Sequence, residues 1–113
     1  TTNLTEWKTG FYTKWGDEAC DLEPIIHLYK TEVTDLARQL QVPERIIQKA
    51  PAPDTAPGMT DELVMGIRYQ ALDRILKKMA NRQDLAEEDP REVEKVQEIL
   101  EKVKYRKVRS LHL

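Results

Sequence analysis

Ile67-Arg68-Tyr69-Gln70-Ala71-Leu72-Asp73-Arg74-Ile75-Leu76-Lys77-Lys78-Met79-Ala80 is the stretch from which the architecture can be read outward. Leu72, Ile75, Leu76 and Met79 recur at the spacing that places side chains on one face of a helix, so a helix with one buried stripe is predicted from about Ile67 to Ala80. Downstream, Asp89-Pro90-Arg91-Glu92 offers an N-cap aspartate, a proline at the first helical position and a glutamate at the third. Val93, Val96, Leu100 and Val103 then mark a further helix, whose stripe either packs on its own domain or pairs with another subunit.

Upstream, residues 50 to 58 read Ala-Pro-Ala-Pro-Asp-Thr-Ala-Pro-Gly, and three prolines with a glycine let no helix or central strand run through them. Pro43 opens a short helix through Ile46 and Ile47 at a position where its missing N–H costs nothing. Before it, Val33, Leu36, Ala37 and Leu40 predict a helix over 29–40. Leu4, Trp7 and Phe11 share one stripe with Glu6 on another side, which predicts a short helix ending at the turn Lys14-Trp15-Gly16-Asp17. Between Cys20 and Ile26 the pattern is compatible with a brief strand or an extended entry to the next helix. The prediction is a mostly helical chain with no internal repeat and hardly any strand.

With 113 residues, of which 40% are apolar, there is room for one small domain or part of one. Charged residues are 34% of the chain yet sum to a net charge of −2, which points to neither nucleic acid nor an acidic membrane surface. The single cysteine, Cys20, excludes an internal disulfide and agrees with a reducing, cytoplasmic setting. No apolar run approaches the roughly 20 residues of a membrane span, and the polar opening is unlike a signal peptide. It begins without a methionine and reads like the middle of a fold, so further sequence is expected before Thr1.

Five ordered pieces carry a resemblance. They are Thr1-Thr2-Asn3-Leu4-Thr5-Glu6; Thr9-Gly10-Phe11-Tyr12-Thr13-Lys14-Trp15-Gly16-Asp17 followed by Asp21; Leu28-Tyr29-Lys30; Val42-Pro43-Glu44-Arg45-Ile46-Ile47; and Pro51, Asp54 and Gly58-Met59-Thr60-Asp61-Glu62. In residues and spacing they resemble the NAD synthetases, ammonia- or glutamine-dependent, over about the first two thirds of the chain, weakening after Leu76. The resemblance implies an α/β, Rossmann-like nucleotide alpha-hydrolase (PP-loop) fold. Residues 1–113 would form the mostly helical C-terminal portion of one synthetase domain, and any strands of its parallel sheet would come from elsewhere. It also implies a cytoplasmic, homodimeric carbon-nitrogen ligase of NAD biosynthesis that uses ATP, Mg2+, deamido-NAD and ammonia. The nitrogen source, free or drawn from glutamine, is left open by these residues.

Carried over by position, the resemblance implies that Thr1 and Lys30 contact ATP and that Glu6 binds magnesium, a hard oxygen ligand for a hard cation. Lys14 and Asp21 fall where the family contacts deamido-NAD, and Tyr105-Arg106 stand where it commonly has a His-Lys pair. Ala52 stands where the family usually has a hydroxyl residue on ATP. The Ser-Gly-Gly-x-Asp-Ser type loop that cradles pyrophosphate in this family has no counterpart in the 113 residues and is expected before Thr1. This chain alone is therefore expected to be inactive, with no residue of its own assigned as catalytic.

By residue type alone, each of these charges reads as solvated surface. Trp7, Phe11 and Trp15 are expected in the core or a subunit interface, His27 as a packed or partly exposed side chain, and Cys20 as a small buried residue. Lys102, Lys104, Arg106, Lys107 and Arg109 are expected to complement a helix C-terminus rather than hold a dinucleotide phosphate. The alternative to a synthetase is a non-catalytic helical interaction domain derived from one.

Overall fold

The computed structural model describes residues 2–13, 15–17, 19–52 and 57–104. Among them six helices form: α1 (Leu4–Thr9), α2 (Lys30–Gln39), α3 (Glu44–Ile47), α4 (Asp61–Met65), α5 (Tyr69–Ala80) and α6 (Pro90–Lys104). Helix α5 carries the expected stripe and is flanked by α6 and α2, while α1 touches both α6 and α2. Leu72 and Ile75 are fully buried, and removing side chains of this size from water contributes about 1.5–3 kcal/mol each. Val96 and Val103 of α6 are buried and Val93, Ile99 and Leu100 half-buried, so the α6 stripe packs on its own domain.

Local chemistry sets the helix ends. The Asn3 side chain accepts from the Glu6 N–H at 3.0 Å and the Glu6 carboxylate accepts from the Asn3 N–H at 3.0 Å, a reciprocal cap that starts α1. Gly66, at φ 71°, ends α4 with its N–H donating to the Glu62 carbonyl at 2.8 Å, a left-handed conformation that glycine adopts without a Cβ clash. Asp89 accepts from the Arg91 N–H at 2.8 Å, so the predicted N-cap of α6 is formed with Pro90 at its first position.

A carboxylate clamps α5 to the segment ahead of α6. Glu88 is buried and accepts from Arg74 Nε at 2.8 Å and from Lys78 Nζ at 2.7 Å. The Lys78 hydrogen bond first, and then that of Arg74, hold its carboxyl below the usual glutamate range.

Several expectations are corrected. Helix α4 was not predicted, because five residues are too few to show a periodic stripe; Leu63 and Val64 on it are exposed. Pro43 is the N-cap of α3 rather than its first residue. Residues 24–27 form turns, with the Leu28 N–H bonded to the Ile25 carbonyl at 3.0 Å, and no strand forms among the described residues. Cys20 is exposed, not buried, and its Sγ donates to the Asp17 carbonyl at 3.2 Å. Of the aromatics expected in the core or a subunit interface, Phe11 packs on the core as expected, Trp7, half-buried, stacks on Tyr12 with ring centroids 5.5 Å apart, and Trp15, 78% exposed, lies outside the core. His27 is exposed. Lys102 and Lys104 do lie in the last turn of α6, as expected, and pair with Glu98 and Glu101 on the same helix.

Candidate functional site

The first amides of α2 are capped by side chains from two other helices. Lys30 N–H donates to Thr5 Oγ1 at 2.8 Å, and Thr31 N–H donates to Asp73 Oδ2 at 2.8 Å. Thr5 Oγ1 in turn donates to Asp73 Oδ1 at 2.6 Å, which closes a relay among α1, α2 and α5. Thr5 and Asp73 are fully or almost fully buried, so these bonds are made away from water, where an unmet polar group costs about 1–3 kcal/mol. The carboxylate also sits at the positive end of α2. A second link, Leu4 N–H to the Leu28 carbonyl at 2.8 Å, joins the start of α1 to the chain entering α2.

This join brings Glu6 and Lys30 together. Lys30 Nζ lies 3.6 Å from Glu6 Oε1, and both side chains are largely covered. The ammonium also lies 5.6 Å from the centroid of the Tyr69 ring. Tyr69 is buried, donates its hydroxyl to Asp61 Oδ2 at 2.9 Å, and donates its N–H to Glu62 Oε1 at 2.9 Å. Burial chiefly, then the Asp61 hydrogen bond and the charges of Asp61, Glu6 and Asp73, push its hydroxyl far above the usual tyrosine range. It stays a neutral donor throughout the physiological range.

A cleft of about 730 Å³ opens beside Lys30, a size suited to a small-molecule ligand. Its apolar wall is Val33, Ala37, Val42, Ile46, Ile47 and Pro51; Arg38, Lys49 and Glu62 add charge, and Tyr69 and Ala52 complete it on the far side of the sequence from α2. Lys30 and Ala52, matched separately to ATP-contacting positions, thus line one cavity.

Of the other expected site residues, Asp21 is exposed and does not line this cleft, so it is not joined with Lys30 into one charged cluster. Thr1, Lys14, Tyr105 and Arg106 lie outside the described residues, as do Arg106's basic neighbours Lys107 and Arg109. Thr5, Asp73, Tyr69 and Glu62 were not anticipated. Asp73 did carry a signal: it follows Tyr69 by one turn and adjoins Leu72 and Leu76 on the buried side of its helix, where a carboxylate must find partners.

Among the described residues no group of three His, Cys, Asp or Glu side chains is arranged to hold a metal ion. Glu6 nevertheless suits a magnesium ion as a single ligand. Its Oε2 is held by the Asn3 N–H and its Oε1 faces the cleft-lining Lys30. Magnesium commonly takes only one or two protein carboxylates, with phosphate oxygens and water completing its shell.

The sequence model of the NAD synthase family matches residues 1–111. The chain belongs to this family. The match runs well past Leu76, so family likeness extends through α6, where the motifs themselves are weak. The NH3-dependent NAD+ synthetase of Thermotoga maritima is 56% identical over 108 residues, which are 95% of this chain and 38% of that protein. The one from Pyrococcus horikoshii is 42% identical over 114 residues, covering 95% of this chain and 44% of that protein. The chain thus spans about two fifths of the length of the curated relatives it matches. Among solved structures, NMN synthetase from Francisella tularensis superposes with a TM-score of 0.80 at 29% identity, over all of this chain and 44% of that one. An NH3-dependent NAD synthetase from Campylobacter jejuni, solved with a nitrate ion, gives 0.71 at 26% identity over all of this chain and 43% of that one. These neighbours are consistent with a synthetase fold. No helix among the described residues is long and apolar enough to cross a membrane.

Proposed function

We propose that this chain forms the C-terminal portion of a NAD synthetase domain that amidates deamido-NAD to NAD with ATP and ammonia, within a Rossmann-like, PP-loop architecture. The nicotinate carboxylate attacks the α-phosphorus of ATP and pyrophosphate leaves; ammonia then attacks the acyl carbon, AMP leaves with the bonding electron pair, and a proton is released. A free carboxylate is a poor electrophile, and conversion to an acyl adenylate supplies a stable leaving group. A cytoplasmic homodimer belongs to the same reading, and the NH3-dependent relatives favour ammonia as donor.

The observation that carries the proposal is the 3.6 Å approach to Glu6 Oε1 of Lys30 Nζ, whose residue lines a cleft of ligand size; Glu6 is not itself among the lining residues and reaches the cleft only through this contact. In this reading Lys30 holds an ATP phosphate as a compact point charge, and Thr1 contacts the same nucleotide. Glu6 supplies one carboxylate ligand to magnesium, which would offset negative charge on the triphosphate as pyrophosphate departs. Tyr69 backs the lysine with its ring and stays protonated, so it adds no competing negative charge. Lys14, Asp21, Tyr105 and Arg106 are assigned to deamido-NAD by family position, and Ala52 offers methyl contact where relatives of the family place a hydroxyl.

Steady-state kinetics on the full-length protein test this. Lys30→Ala is expected to raise KM for ATP about tenfold or more, the loss of one charge-assisted contact, while KM for deamido-NAD changes by less than about twofold. Equal increases for both substrates would remove Lys30 from the nucleotide.

A further inference from the structure

The relay beneath the Glu6–Lys30 pair joins its two members through one hydroxyl. Thr5 directly precedes Glu6 on α1, and its Oγ1 accepts from the backbone N–H of Lys30 itself at 2.8 Å. Because side chains on a helix have a fixed angular relation, holding Thr5 against α2 also fixes the direction in which Glu6 leaves α1. Asp73 holds the hydroxyl from the other side at 2.6 Å and takes the next amide of α2, Thr31 N–H, at 2.8 Å.

Stability alone does not call for this arrangement. An N-cap side chain adjacent in sequence would cap α2 locally, and an apolar pair would pack α1 on α5 without desolvating a carboxylate. Here Asp73 is 1% exposed and forms no ion pair among the described residues, so its charge is met by a hydroxyl, an amide and the end of α2 alone. What a cap drawn from α1 and α5 adds is a fixed offset between the two functional side chains.

We propose that Thr5 and Asp73 are positioning residues that set the spacing of the Glu6 carboxylate and the Lys30 ammonium for a magnesium-bound triphosphate. The inference rests on the assignment of Glu6 and Lys30 made above. It also explains why α2 offers the nucleotide a side-chain ammonium rather than its own first amides, which Thr5 and Asp73 already occupy.

The test is calorimetric titration of MgATP, and separately of deamido-NAD, into full-length protein. Thr5→Val removes the hydroxyl at nearly constant shape, and Thr5→Ser keeps it. Thr5→Val is expected to weaken MgATP binding about tenfold, as lost supporting hydrogen bonds do at metal sites, with deamido-NAD affinity within about twofold of wild type. Thr5→Ser is expected to restore MgATP affinity to within about threefold. A folded Thr5→Val that binds MgATP like wild type, or a Thr5→Ser as weak as the valine variant, overturns the inference. Should Thr5→Val not fold, Asp73→Asn carries the same comparison: it keeps one acceptor oxygen, should also lose about tenfold, and overturns the inference if it does not. Glu6→Gln run in parallel separates the two levels. If it binds MgATP like wild type, the assignment of Glu6 fails; if it is weak while Thr5→Val and Asp73→Asn are normal, only the positioning role fails.

Discussion

Helix α5 serves two regions built on opposite rules. One is an apolar seam, in which Leu72, Ile75 and Leu76 join Val96 of α6 in the buried core, with ion pairs to Glu88 only at its edge. Toward α1 and α2 the helix presents Asp73, which bonds to Thr5 and to the Thr31 N–H, while Tyr69 sets its ring under Lys30 and donates its hydroxyl to Asp61 of α4. An apolar seam is non-directional and tolerates small shifts, whereas a hydrogen-bonded junction fixes donors and acceptors within tenths of an ångström. The seam therefore gives the domain its stability, and the junction aims Glu6 and Lys30.

If that division holds, substitutions in the two regions separate in what they change. The largest loss of stability is expected from the seam: Leu72→Ala removes a fully buried side chain and should cost about 2.7–5 kcal/mol of unfolding free energy in urea denaturation. Next, Glu6→Gln should lower kcat about 100- to 1000-fold while leaving the urea midpoint nearly unchanged, because glutamine still accepts the Asn3 N–H as the third residue of a capping box. A large fall in stability with normal turnover would reverse the division. The smallest effect is expected at the seam's edge and depends on pH. The folded-state pKa of Glu88 is depressed, so its contribution is fully present above the ordinary value of 4.5 and is lost as pH falls through the folded value. The stability gap between wild type and Glu88→Gln should accordingly be widest near neutrality and close on acidification; a gap that grows in acid would contradict the Arg74 and Lys78 contacts as its origin.

How much of this was legible follows the same division. Helices α2, α5 and α6 were readable because each is long enough to repeat an apolar stripe, and Val96, Leu72 and Ile75 lie where their spacing put them, but the buried face expected of α2 does not form: none of its residues is buried, and Leu40 just beyond it is exposed. Helix α4 has Thr60 as its cap and Gly66 as its stop but only five residues between them, and its outward Leu63 and Val64 mimic no stripe. Cys20 was misplaced because residue type stood in for environment; the turn after Asp17 leaves it outside the core. At the site, Glu6 and Lys30 stood out only through family resemblance, since single charges in a highly charged chain carry no local signal. The spacing of α5 marks Asp73 as a carboxylate on a buried face, but its partner Thr5 was hidden, because a hydrogen bond between residues far apart in sequence leaves no trace of which two groups meet.

The central claim is that Glu6 and Lys30 act as one unit on a magnesium-bound triphosphate. A double-mutant cycle measures it directly: kcat/KM for ATP in full-length wild type, Glu6→Gln, Lys30→Ala and the double variant. Coupling of about 1 kcal/mol or more is expected, with the double variant losing less than the sum of the single losses. Losses that simply add would contradict the claim.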